Sequence, residues 1–476
     1  MHLLNNIFLT KEDHDHLSKW KYSVEDKSIS SKIFGSLWTW LAELVPNNVA
    51  PNILSLAGLL CIIYSFNLSY NYFEAYPNFT SLMTFLLVFS YMNLDAIDGK
   101  HARRINNSSP LGEFFDHSCD NIGVVFMILP LCYTLGITNY YMQWYAVQIA
   151  QLAFLHSHIM AFKEKIVRFG KYTGPGEFII MYMLILLGRC FSDYSLFKDL
   201  MVIISNIVGL NSEEFGNLVI ITIYYLVYGY VIYSVLLLDS YATRNGLLIS
   251  LFMRFIPSIL IYFNLLEGRM NTYTVISHGI IMAIITGDMI IAKMASRDLH
   301  PLIPIFIMIS LFDNFLCILL ALYYYGTILN EILTYLKLPI FGVKHNVFCS
   351  GVFDLLHEGH IRMFQNAVKC GTNLIVGVHD DKDVESYKRK PIMTHSERCF
   401  SVSSCKYVDE LVEKCPLYVT EEMIKKYNIH TVVCSPEYDS PNDLFYKIPR
   451  ELGILTVLPR TDTISTSDLI KRLTNK

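Results

Sequence analysis

Asp95, Asp98, Asp116 and Asp120 fall within one short stretch, DAIDGKHARRINNSSPLGEFFDHSCD, running from residue 95 to 120. They form two pairs, three and four residues apart. On helices those spacings put each pair on one face. Long apolar runs flank the stretch on both sides. Carboxylates at a membrane boundary are costly unless paired, solvated or bound to a cation, so their presence points to function. Two carboxylate pairs could hold Mg²⁺ or Mn²⁺, which favour hard oxygen donors, and clamp the attacking and leaving oxygens of a phosphoryl transfer. Gly99 and Gly112 would let a backbone or a nucleotide approach closely. Lys100 and Arg103 are placed to meet phosphate charge. The competing reading is that the acids cap helices and pair with Arg103 and Arg104. Four acids, two glycines and an arginine in this order weigh against it.

The base that takes a proton from an attacking hydroxyl is open between His117 and Asp120, with His117 favoured. Glu113 precedes His117 by one helical turn and could orient its ring or share the proton. Glu177, in TGPGEF, is a further acid in an apolar run. It reads equally as lining for a substrate site or as a helix-packing residue.

The elements that carry these residues follow from composition. Of 476 residues, 53% are hydrophobic and only 17% charged, where a soluble protein has roughly 25% charged. That describes an integral membrane protein. The net charge of −4 offers no basis for nucleic-acid binding. Eleven scattered cysteines, without CxxC pairs, are expected to be free thiols in a reducing compartment. The first residues lack the pattern of a cleaved signal peptide. Residues 28–46 suit an amphipathic interfacial helix with Trp38 and Trp40 as anchors; an ordinary packed helix fits as well. Apolar spans follow at about 50–71, 78–97, 112–135, 144–163, 175–192, 217–239, 246–266 and 273–293, and 301–340 could hold two short ones split near Asp313 and Asn314. That makes about ten spans, with a weak run at 197–210 blurring the count. Basic clusters after the second, fourth, sixth and eighth spans fall on one side, which the positive-inside rule makes cytoplasmic.

The character changes after Gly342. From residue 344 to 476, short β-type runs alternate with helical segments, the pattern of βαβ units and a parallel sheet. Domains at 1–343 and 344–476 are expected. In GVFDLLHEGH a strand runs through a turn into a helix near His357. His357 and His360 fall on one side, able to donate hydrogen bonds to a triphosphate. They could instead bind zinc, though no third ligand is evident nearby. In PRTDTISTSDLI, Arg460 offers a fork for phosphate, and Ser465 and Thr466 lead into a helix whose amides can face one.

The order D-x2-D-G-x2-A-R-x8-G-x3-D-x3-D, from Asp95 to Asp120, is the signature of the CDP-alcohol phosphotransferase family. With VAPNILSLAGLL (49–60) and KMASRDLHPL (293–302), residues 15–340 resemble its eukaryotic choline/ethanolamine phosphotransferases. The resemblance implies a polytopic α-helical fold and attack of a diacylglycerol hydroxyl on the β-phosphorus of CDP-choline or CDP-ethanolamine. It implies that Asp95, Asp98, Asp116 and Asp120 bind metal, that Gly99, Ala102 and Arg103 contact the CDP part, and that His117 serves as base with Glu113 orienting its ring or sharing the proton. It also implies an endoplasmic-reticulum membrane, cytoplasm-facing sites and a homodimer.

GVFDLLHEGH, KYVDELV (406–412) and RTDTISTSDLI resemble the cytidylyltransferases of phosphocholine, phosphoethanolamine or glycerol 3-phosphate, over residues 345–473. That implies a Rossmann-like α/β domain joining CTP to a phospho-alcohol with Mg²⁺ and no covalent intermediate. By the same resemblance His357 and His360 stabilise the transition state and Lys388 binds phosphates. Gly351, Phe353, Arg460, Ser465 and Thr466 fall in the substrate site. Asp381, Tyr438 and Tyr446 match positions around the amine, whereas Leu417 replaces an aromatic residue. Thr463 replaces a usual glycine, and Cys434 and Ser435 replace His or Gly followed by Asp. The expected whole is a bifunctional phospholipid-synthesis enzyme. The alternatives are a phosphotransferase with a CTP-binding or regulatory soluble domain, and a lipid-binding scaffold.

Overall fold

In the computed structural model the described residues are 6–172, 174–191, 202–203, 205–207, 209, 211–263, 265, 270–336, 339–459 and 464–474. The weak run at 197–210, Arg460 and Thr463 lie wholly or largely outside them. The chain divides into two units, 1–342 and 343–476.

The first unit is helical. After α1 (Lys11–Ser18) and α2 (Ile29–Leu44) come α3 (Pro51–Tyr72), α4 (Pro77–Arg104), α5 (Pro110–Thr134), α6 (Tyr140–Glu164) and α7 (Pro175–Phe191). Then follow α8 (Ser212–Leu236), α9 (Tyr241–Tyr262), α10 (Thr272–Ala295), α11 (Leu302–Ile309) and α12 (Asn314–Leu336). Pro at the first position starts α3, α4 and α5, where its missing N–H removes no intrahelical bond. Among the described residues six helices are long and apolar enough to cross a membrane: α3, α4, α8, α9, α10 and α12. The expected count of ten is therefore not confirmed. Acids interrupt α5 and glutamines and histidines interrupt α6. The eight residues of α11 rise only about 12 Å, less than half the hydrocarbon thickness. Residues 301–340 thus hold one spanning helix rather than two.

α10 is buried on all sides, as a helix at the centre of a bundle must be. Around it one continuous core takes in Phe114, Trp144, Tyr145, Ile284, Tyr324 and Ile328. α2 departs from the interfacial expectation in one respect. Trp40 is exposed, but Trp38 is buried and its indole donates to Asn93 Oδ1 of α4 at 3.2 Å. One tryptophan therefore anchors α2 to the bundle.

A short parallel ladder joins β1 (Val24–Asp26) to β2 (Val167–Phe169) and brings the segment before α2 next to the end of α6. Glu177 completes this junction. Its Oε1 accepts from the Ser30 amide at 2.9 Å and the Ser30 hydroxyl at 3.0 Å, so it caps the first turn of α2. Gly176 makes the approach feasible, because a Cβ there would sit 2.4 Å from Ser30 Oγ. The packing reading of Glu177 is the one this geometry favours.

In the second unit five parallel strands lie in the order β5-β4-β3-β6-β7: Glu410–Cys415, Asn373–His379, Asn346–Gly351, Ile429–Cys434 and Leu455–Val457. Every pairing is parallel. Both faces are covered. Val347, Cys349, Leu374 and Val376 point to one apolar cluster, and Phe348, Ile375, Val432 and Cys434 to the other. Near-continuous apolar runs are what a strand buried on both faces requires. The chain reverses between β3 and β6, and such a switch point opens a crevice at the strands' carboxyl ends.

Replacing Glu177 with Ala strips the cap from α2. We expect a loss of about 1–2 kcal/mol of stability, read as a lowered thermal midpoint in detergent, and a much smaller loss for Glu177→Gln.

Candidate functional site

α4 and α5 are antiparallel neighbours joined by five residues, 105–109. Ser109 Oγ accepts from the Gly112 amide at 3.0 Å and sets the start of α5. The short loop brings the last turns of α4 against the first turns of α5. As a result, carboxylate oxygens of Asp95, Asp116 and Asp120 all lie within 4.8 Å of one another. Asp98 adjoins Asp116, accepts from Ser55 Oγ of α3 at 2.5 Å, and is bonded by the Gly99 amide. Tyr91 donates to Asp120 Oδ1 at 2.9 Å. Among the described residues none of the four acids forms an ion pair, and Asp116 Oδ1 is buried without a hydrogen-bond partner. Arg104 instead holds the Glu43 and Val45 carbonyls at the end of α2. The reading in which these acids merely pair with arginine finds no support here. Converging hard oxygens with an orphaned lone pair fit a divalent cation.

Arg103 is exposed and folds back over Gly99, its Nη1 3.4 Å from where a Cβ would stand. No neighbouring helix crowds Gly99. Ala102 is half-buried beside it. Gly112 likewise meets only ordinary contacts, with Asn52 Oδ1 at 3.6 Å. Close helix packing is therefore not what either glycine serves.

Glu113 and His117 lie on α5 as the sequence places them. Glu113 Oε1 is 2.5 Å from Lys293 Nζ of α10, with both side chains buried. Its Oε2 and His117 Nδ1 lack hydrogen-bond partners. Sequence reasoning missed Ser55, Tyr91 and Lys293, because none shows a spacing tied to the acids. It also missed Tyr22, whose hydroxyl acts electrostatically on Glu113, Asp116, Arg103 and Asp95.

In the second unit the switch point gathers the expected residues. Phe353 and Leu355 both take positive φ, 52° and 49°, bending the chain after β3 into the helix Glu358–Val368. His357 caps that helix, accepting from the Gly359 amide at 3.1 Å. The His357 and His360 rings stack 3.9 Å apart. His360 meets Phe353 edge-on at 5.4 Å. Thr466 donates to the Asp354 carbonyl at 3.2 Å and lies 3.3 Å from His357 Nε2. Ser465 caps the last helix through Asp468. Gly359 is required by this contact, since a Cβ would meet the Ile464 carbonyl at 2.7 Å. Two sequence signals about a hundred residues apart are one place in space. Gly351 leads into it, packed on Phe353. Lys388 is exposed, and its charge acts on His360.

Burial pushes His360 down to about 3, with His357 and Lys388 acting in the same sense. Burial also lowers His357. Asp354 is driven up by burial, but amides of Met393 and Ile392 and the Arg389 guanidinium hold it below the usual carboxylate range. Asp381 is tied to the buried Arg398 at 2.6 Å and accepts from the His395 amide. Tyr438 sits 5.6 Å from Tyr446 and 6.0 Å from Phe445. Phe445 also stacks on Tyr418 at 5.5 Å and meets Tyr387 at 5.6 Å. Tyr387 and Phe445 were not legible as members of this aromatic group.

These features set a helical unit with an acid cluster and an α/β unit with an HxGH turn in one chain. Residues 48–211 match the CDP-alcohol phosphatidyltransferase family and residues 348–472 the cytidylyltransferase-like family, so the chain carries one domain of each kind. It is 35% identical over 178 residues to cholinephosphotransferase 1 of Gallus gallus, covering 36% of this chain and 52% of that protein. Against ethanolamine-phosphate cytidylyltransferase of Dictyostelium discoideum it is 40% identical over 136 residues, 27% of this chain and 37% of that protein. Against cholinephosphotransferase 1 of Danio rerio identity is 29% over 307 residues, 60% of this chain and 77% of that protein. The chain thus spans about half or less of the length of several curated relatives it matches.

Because both imidazoles are depressed, their contribution to stability is full above the ordinary value of 6.5. It is lost as pH falls toward about 3. We expect amide-exchange protection of residues 358–368, measured in the intact chain, to fall between pH 6.5 and about 4.5, and to fall less in His360→Gln.

Proposed function

We propose that the chain performs two consecutive reactions. At the second unit CTP and phosphocholine or phosphoethanolamine give the CDP-amine and pyrophosphate. The phospho-amine oxygen attacks the α-phosphorus of CTP, and the bond to the leaving pyrophosphate breaks. His357 and His360, with Lys388, would face the charge that develops there. Ser465, Thr466, Gly351 and Phe353 would shape the nucleotide pocket. At the membrane unit a diacylglycerol hydroxyl attacks the β-phosphorus of the CDP-amine, CMP leaves, and phosphatidylcholine or phosphatidylethanolamine forms.

Asp95, Asp116 and Asp120, with Asp98 beside them, would hold Mg²⁺ or Mn²⁺. A bound cation would neutralise charge on the phosphates. Gly99, Ala102 and Arg103 would receive the nucleotide, and His117, with Glu113 next to it, would take the hydroxyl proton. Tyr438, Tyr446 and Phe445 would meet the amine through their ring faces. Asp381 is neutralised by Arg398, which leaves less negative charge for a trimethylammonium group. The basic residues after α4 and α6 support a membrane site facing the cytoplasm, where CTP is. The short connection after Gly342 raises the local concentration of the intermediate at the second site, to the order of millimolar for short flexible linkers.

The observation that carries this reading is the pairing, in one chain, of a converging carboxylate cluster with an HxGH turn joined to the 464–466 segment. The test supplies CTP, diacylglycerol and labelled phosphocholine or phosphoethanolamine side by side. Pyrophosphate release with labelled lipid is expected. Lipid formed only from added CDP-amine, without pyrophosphate, would leave the soluble unit a CTP-binding or regulatory module. Cys434 and Ser435 at the end of β6 are the feature that favours that second reading.

Two substitutions probe the membrane site. Asp116→Asn is expected to lower lipid formation at least about a hundredfold. Gly99→Ala adds a methyl that meets only the flexible Arg103 guanidinium, at 3.4 Å, so stability should hold or rise by up to about 1 kcal/mol. Its KM for the CDP-amine should nevertheless increase, measured at saturating diacylglycerol.

A further inference from the structure

The membrane unit holds a second polar cluster next to the aspartates. His117 of α5 meets His158 of α6 edge to face, ring centroids 5.2 Å apart and planes at 64°. Phe154 also meets the His158 ring, with centroids 4.9 Å apart. His158 is buried. The Nδ1 atoms of both histidines are buried without hydrogen-bond partners, and so is Glu113 Oε2. Two such orphans on touching rings, with a third, one helical turn before His117 on α5, are costly in an apolar interior, where buried polar groups are otherwise bonded.

Charge at this place restricts what could satisfy them. The Glu113 carboxylate faces away an anion. The Lys293 ammonium, 2.5 Å from Glu113 Oε1 and acting electrostatically on both rings, disfavours a further cation. A neutral hydroxyl suits the set, because it donates one hydrogen bond and accepts two. Neutral imidazoles can match it, one ring nitrogen accepting and the other donating.

We propose that His158 is a positioning residue for the acceptor hydroxyl. It holds the hydroxyl oxygen of a neutral glycerolipid against His117, with Glu113 and Lys293 fixing the electrostatics around them. The inference rests on the phosphotransferase reading. It adds a residue on α6, a helix that contributes nothing to the aspartate motif, and assigns it to the lipid rather than the nucleotide substrate. His158 takes no proton in this scheme. It sets where the hydroxyl sits when His117 receives one.

The test is steady-state kinetics on the full chain in mixed micelles, varying diacylglycerol and CDP-amine separately. His158→Phe keeps ring volume and removes both nitrogens. Its KM for diacylglycerol should rise about tenfold, the order expected for one lost hydrogen bond. The KM for the CDP-amine should stay within about twofold, because His158 does not touch the nucleotide side. His158→Gln, which restores a polar group, should recover most of the diacylglycerol KM. A merely structural ring contact predicts the reverse order, with Phe tolerated and Gln impaired, and that result overturns the proposal. An equal rise in both KM values, or none, also overturns it. If His158→Phe does not accumulate, His158→Leu serves with the same readouts. A wild-type chain that is active on both substrates while its variants are unchanged refutes only the role of His158. A wild-type chain that forms no lipid from either CDP-amine refutes the phosphotransferase reading as well.

Discussion

Four carboxylates placed together inside an apolar helix bundle repel one another and resist desolvation. Much of the membrane unit is arranged around that constraint. Only rigid helices could hold Asp95, Asp116 and Asp120 so close, and α4 and α5 do so through a five-residue loop that Ser109 caps. Partial relief comes from neutral donors: Ser55 and the Gly99 amide to Asp98, and Tyr91 to Asp120. No arginine or lysine cancels the charge among the described residues. A protein that leaves such a cluster uncompensated has a place ready for a cation.

The supporting shell separates charge by role. Lys293 pairs with Glu113, away from the cluster, and Arg104 is tied to the backbone at the end of α2. Arg297 is bound to Asp288, whose other contacts include Tyr324. Lys293 thus fastens α10 to α5 and Arg104 fastens α2 to α4, while Tyr324 ties α12 to α10. Arg103 remains at the exposed edge, over the open side of Gly99, where a phosphate could approach.

The α/β unit solves a different problem. Its site is built from a strand end, a strained turn at Phe353 and Leu355, and a capped helix. The last helix must return to this place for Thr466 to reach His357. Gly359 permits the approach of the Ile464 carbonyl. Neutral, half-buried imidazoles can donate to a developing anion at the cost of stability in acid. Tyr387, Tyr418, Tyr438, Phe445 and Tyr446 bring together aromatic rings from four separate segments.

The sequence by itself determined the acids and their helical phase, since a spacing of three or four residues has only one geometric meaning on a helix. It also determined the parallel sheet, because strands buried on both faces read as unbroken apolar runs, and the two cytidylyltransferase-type signals. Its count of ten membrane spans is not confirmed among the described residues, and hydropathy does not reveal that α11 stops after eight residues. Tertiary structure alone decided which acids converge, that Glu113 faces Lys293, that Glu177 caps α2, and that His158 meets His117. Each joins residues from different helices, and some of these lie far apart in the chain, as the 180 positions between Glu113 and Lys293 show. No local periodicity encodes such a meeting. It is set by the close packing of whole helices, which fixes side chains that the sequence leaves unrelated.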